Sequence, residues 1–81
     1  ATVLFRALQL ARKSVAQQPV ASGKLKTRIA ELVSREPSAR LDYVEFFNPD
    51  TLEPVAKVRR GDQMALAVFI GKTRLIDNGS L

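Results

Sequence analysis

Apolar residues recur at helical spacing from the first positions of the chain. Leu4, Leu8, Ala11 and Val15 share a face with Ala7, while Arg6, Gln9, Arg12 and Lys13 take the polar side, which predicts an amphipathic helix. No Ser, Asp, Asn or Pro precedes this pattern, so the cap falls to Thr2. Such a start, without an initiator Met, is expected of a chain cut from something longer. Gln17-Gln18-Pro19 ends the helix, because proline disfavours helical geometry in the residue before it. A second helix is predicted from Ser22 as cap, with Leu25, Ile29, Leu32 and Val33 as its apolar stripe. Lys24, Lys26 and Arg28 lie off that stripe, and Pro37 closes the element.

The period then shortens. Leu41 to Phe47, LDYVEFF, is aromatic and β-branched with partial alternation and reads as a strand. Asn48-Pro49-Asp50-Thr51-Leu52 is a turn, with Asn48 placed to cap a single helical turn. Pro54-Val55 returns to extended chain, and Arg59-Arg60-Gly61-Asp62 is a polar turn. Met64 to Ile70 is apolar on both faces, with Met64, Leu66, Val68 and Ile70 on one and Ala65, Ala67 and Phe69 on the other. It is therefore expected at the centre of a sheet, its small residues letting a helix approach the second face. Gly71-Lys72 predicts a two-residue hairpin loop, returning Thr73 to Asp77 antiparallel to that strand, with both faces of the return strand partly buried. The predicted fold class is α+β: two N-terminal helices packed on a small three-stranded antiparallel sheet.

Composition narrows the chemistry. Eighty-one residues make one small domain, and 46% hydrophobic with 26% charged residues is ordinary for a globular chain. The sequence has neither His nor Cys, which removes the commonest general base near neutral pH, the thiol nucleophile and the usual zinc ligand sets. A net charge of +5 permits a polyanionic partner, so an autonomous nucleic-acid-binding module is the alternative reading. The longest apolar run is too short to span a bilayer, and no membrane association is expected.

Taken together, DYVEF, the segment Asn48-Pro49-Asp50-Thr51-Leu52-Glu53-Pro54 and the closing ALAVFIGKTRLIDN resemble the C-terminal domain of the pantoate–β-alanine ligase family. ATVLFRALQLA is similar to the first helix after that family's nucleotide-binding motif, so the resemblance covers essentially the whole chain. It implies a cytoplasmic enzyme that uses ATP and magnesium to convert pantoate to an enzyme-bound pantoyl adenylate, which β-alanine then attacks. It also implies that the reacting groups sit on an N-terminal Rossmann-like domain with HIGH-type and KMSKS-like motifs, neither of which occurs in this sequence. The chain is then expected to be a lid covering the adenylate on that domain, monomeric and inactive alone. No catalytic, cofactor-binding or metal-binding residue is carried over to any of its positions, and neither ATP nor magnesium is expected to bind it.

Several residues still invite a role. Arg74 either points from the hairpin towards the nucleotide domain or pairs with a nearby carboxylate, and the pairing is favoured; Asp77-Asn78-Gly79 is then a turn or local cap. Lys72 is expected to be a solvated hairpin lysine. Lys57, Arg59 and Arg60 form a short basic run, diluted by Glu53 and Asp62 and without interleaved aromatics, so a solvated turn outweighs a nucleic-acid patch. Asp42, Glu45 and Asp50 are not expected to form a metal cluster, since strand alternation sends Asp42 and Glu45 to opposite faces. Of Phe46 and Phe47, at least one belongs in the core, and Tyr43 is assigned no role.

Overall fold

The computed structural model describes residues 2–81, beginning with helix α1 (Val3–Val15). The Phe5 N–H donates to Thr2 Oγ1 at 3.3 Å, so Thr2 is its cap, and Arg12 and Lys13 place positive charge in the last turn. Val3, Leu4, Ala7, Ala11 and Val15 are buried. Strand β1 (Val20–Ala21) leads directly into α2 (Ser22–Ser34), whose Leu25, Ile29 and Val33 are buried. The predicted Ser22 cap is corrected here. Ala21 occupies the cap position without a side-chain bond, and the Ser22 N–H donates to the Ala56 carbonyl at 2.9 Å. Entry from a paired strand satisfies one of the helix's open amides with backbone from elsewhere.

The main sheet has the order β2 (Ala39–Phe47), β4 (Gln63–Ile70), β5 (Thr73–Ser80), all antiparallel. A second, two-stranded sheet pairs β1 with β3 (Lys57–Val58), holding the fully buried Val58. A ladder of two residues per strand has no periodicity to detect, and the sequence reading missed it. The hairpin from β4 to β5 forms as predicted. Ile70 faces Thr73 across the loop, and Gly71 takes φ 61°, which glycine adopts without steric cost. Strand β5 runs on through Asp77-Asn78-Gly79, which are ladder partners of Leu66, Ala65 and Met64; the expected turn or cap there is not formed.

Both helices cover the same side of the sheet. Val44 and Phe46 of β2 and Met64, Leu66 and Val68 of β4 join the helix stripes in one core. Gly79 lies under α1, where a Cβ would come 3.0 Å from Leu8 Cδ2, so glycine lets strand and helix close together. The expectation that a helix approaches Ala65, Ala67 and Phe69 is corrected, because α1 and α2 pack only on the opposite face. For the same reason Ile76, which shares the uncovered face, stays 57% exposed, against the expectation of partial burial on both sides of β5.

Candidate functional site

The uncovered face of the main sheet is built in cross-strand rows. Arg40, Phe69 and Arg74 form one row, Tyr43, Ala67 and Ile76 the next, and Glu45, Ala65 and Asn78 the third. Ala65 and Ala67 lie along β4 between larger side chains of the flanking strands, Ala65 half-buried and Ala67 fully buried. The Arg40 guanidinium carbon lies 4.7 Å from the Phe69 ring centre, within cation–π range.

Arg74 reaches across β4 to Asp42. Its Nε and Nη2 each lie 2.9 Å from Asp42 Oδ2, and its guanidinium carbon is 5.8 Å from the Tyr43 ring centre. The favoured reading of Arg74 as half of an ion pair therefore holds. Asp42 reaches it because β2 carries a bulge: Leu41 faces Val68 and Tyr43 faces Ala67, leaving Asp42 as the extra residue. The bulge breaks the alternation used to send Asp42 and Glu45 to opposite faces. What keeps the two carboxylates from acting jointly is separate pairing, since Glu45 Oε2 accepts from Lys26 Nζ of α2 at 3.1 Å. Aromatic identity at position 43 and the alanines of β4 were visible in the sequence, but the bulge carries no glycine to announce it.

The other candidates fall elsewhere. Lys72 is exposed at the hairpin tip. Lys57, Arg59 and Arg60 lie at the far end of the molecule around the β3–β4 turn. That turn is not merely solvated: Asp62 is buried and accepts the Arg59 N–H at 2.9 Å. Phe46 is in the core and Phe47 is half-buried. Asn48 caps its turn, Oδ1 accepting from the Asp50 and Thr51 amides at 2.8 and 3.2 Å. A groove of about 520 Å³ lies on the outer side of the helices, with Phe5, Leu10 and Leu32 among Arg6, Arg12 and Lys13. Among the described residues, no three of Asp and Glu converge as metal ligands, and no helix is long and apolar enough to cross a membrane.

The chain is a two-layer α+β domain whose main sheet is covered by helices on one side only. Comparison with known proteins makes the assignment specific. The family model for pantoate-beta-alanine ligase matches residues 1–80, and the chain belongs to that family. It is 47% identical over 78 residues to a pantothenate synthetase of Caldicellulosiruptor saccharolyticus and 38% identical over 78 residues to one of Clostridioides difficile, covering 96% of this chain in each case. The crystal structure of pantothenate synthetase from Thermus thermophilus superposes with a TM-score of 0.77 at 30% identity over 96% of this chain. The chain spans 28% of the length of each of these three proteins. The nucleic-acid reading finds no support among these relatives.

Proposed function

We propose that this chain is the C-terminal lid domain of an ATP-dependent pantoate–β-alanine ligase, acting in the cytoplasm on a reaction whose chemistry lies on the enzyme's remaining, nucleotide-binding part. That part activates the pantoate carboxylate as an acyl adenylate and presents it to the amine of β-alanine. Among the described residues no three acidic side chains converge to hold a magnesium ion, and Asp42, Glu45 and Asp62 are engaged by Arg74, Lys26 and backbone respectively. ATP and magnesium are accordingly assigned to the other part, and no step runs through them on this one. The domain's contribution is exclusion of water, since an acyl adenylate open to solvent hydrolyses before the amine arrives.

The observation that carries this reading is the match of the whole fold to 28% of a solved pantothenate synthetase at 30% identity. Three preparations test it: the isolated chain, the full-length enzyme, and the enzyme with these residues deleted. The isolated chain should form no pantothenate from ATP, pantoate and β-alanine. The full-length enzyme should release AMP and pantothenate in equal amounts, and the deleted enzyme should release AMP in excess. Turnover by the isolated chain, or full coupling after deletion, overturns the proposal.

A further inference from the structure

We infer that the outer edge of β5 is a strand-pairing surface for a second copy of this chain, and that Asp77 and Arg12 hold it closed. β5 ends the main sheet and keeps an unbroken register with β4 over all eight of its residues, so its outer backbone groups form a regular row. Such a row is a template for another strand. β2, at the opposite end of the sheet, is spoiled for pairing. It carries the bulge at Asp42, Phe47 is bridged to Pro54, and the Phe46 carbonyl accepts the Val55 N–H at 3.2 Å. The edge of β5 has two side-chain caps instead. The Asn78 N–H donates to Asp77 Oδ1 at 2.9 Å, and the Ser80 carbonyl accepts from Arg12 Nε of α1 at 2.9 Å. An antiparallel ladder turns alternate residues to alternate sides, so Arg74 and Ile76 face outward in the same row as Asn78 and Ser80. Leu81 falls on the inner side as this alternation requires, its N–H donating to the Asp62 carbonyl at 2.9 Å. A two-fold antiparallel pairing centred on Ile76 sets that exposed side chain against Ile76 of the second copy, each covering the other. Arg74 then faces Asn78, and that pair needs the Asn78 N–H that Asp77 holds. The next pair, Lys72 with Ser80, needs the Ser80 carbonyl that Arg12 holds. With both caps in place only Ile76 pairs fully, and so short a ladder does not hold two chains together.

Removing both caps from the full-length enzyme tests this, with Asp77→Ala and Arg12→Met made together; Met keeps the apolar stem of the arginine without its donor. Sedimentation is followed over a wide range of protein concentration. The uncapped enzyme should associate about tenfold more tightly than the unsubstituted one, because each cap removed frees a backbone hydrogen bond on both copies. Asp77→Asn keeps an acceptor at the cap and, with Arg12 intact, should sediment as the unsubstituted enzyme does. Hydrogen exchange locates the contact: in the uncapped enzyme the amides of Arg74, Ile76 and Asn78 should gain protection as concentration rises, while those of residues 3–15 should not. Ile76→Pro added to the uncapped enzyme removes the central outward N–H and should abolish the association. Where the double substitution unfolds the domain, Asp77→Ala alone, at an exposed position, is read in the same way with a smaller shift expected. Unchanged association after uncapping overturns the inference. So does association that leaves the β5 amides unprotected or that survives Ile76→Pro.

Discussion

Arg74 of β5 and Asp42 of β2 meet across a strand that belongs to neither, with two guanidinium nitrogens each 2.9 Å from one carboxylate oxygen. The pair ties the two edges of the sheet together over β4. Its side chains are 45% and 34% exposed, so solvent screens much of the attraction. We expect a double-mutant cycle of Arg74→Ala and Asp42→Ala, read by urea unfolding, to give a coupling of about 0.5–1 kcal/mol that shrinks in high salt. A coupling near zero would mean that the pair does not persist in solution.

Gly79 and Leu8 give a second coupled pair, this one steric. A Cβ at position 79 would meet Leu8 Cδ2 at 3.0 Å and Arg12 Nη2 at 3.4 Å. Gly79→Ala is expected to cost about 1 kcal/mol by pushing α1 off the sheet. In a Leu8→Ala background the added methyl has room, and the same substitution should then be neutral or stabilising. Equal costs in both backgrounds would show that the close approach is not what position 79 responds to.

Leu52 adopts φ 61°, a left-handed conformation that costs a side-chain-bearing residue about 1–2 kcal/mol. It is 69% exposed, so its side chain recovers little by burial, while its N–H donates to the Asn48 carbonyl at 2.8 Å and keeps the turn closed. Leu52→Gly removes the backbone penalty but gives the unfolded chain more freedom. The balance predicts a net stabilisation of about 0.5 kcal/mol, measured as a rise in the urea midpoint at constant slope. Destabilisation would show that the leucine side chain contributes more than its exposure suggests.

The elements that the sequence made legible are those with a repeating pattern. The helix stripes, the hairpin at Gly71-Lys72 and the apolar strand β4 each repeat a local rule over several residues. What stayed hidden was set by single residues or by distant partners. The two-residue β1–β3 ladder is too short for periodicity, and the bulge at Asp42 adds one residue without changing composition. Ser22 loses its cap role because Ala56, far along the chain, supplies the bond. The small residues on the outer face of β4 led to the expectation of a helix there, but α1 and α2 cover only the other face, and Ala67 is buried within the sheet's own surface. The favoured pairing of Arg74 holds, but its partner depended on the bulge, which places Asp42 within reach.

Asp62 offers the last prediction, because it is buried where its neighbours are exposed cations. Its Oδ2 accepts the Arg59 N–H at 2.9 Å, and its own N–H returns to the Arg59 carbonyl at 3.1 Å. The turn is also tied to the final residue: Gly61 N–H donates to the Leu81 carbonyl at 2.7 Å, and Leu81 N–H donates to the Asp62 carbonyl at 2.9 Å. Asp62→Ala leaves the Arg59 amide without its acceptor in a partly buried place, at a cost of about 1–3 kcal/mol. Asp62→Asn keeps an oxygen in position and should cost less, so the two variants separate the hydrogen bond from the charge. Stability is read by chemical unfolding and the turn itself by amide exchange. Faster exchange at Arg59 is expected in Asp62→Ala and much less in Asp62→Asn. If both variants lose the same stability, the negative charge beside Arg59 and Arg60, and not the bond to the amide, is what holds the turn.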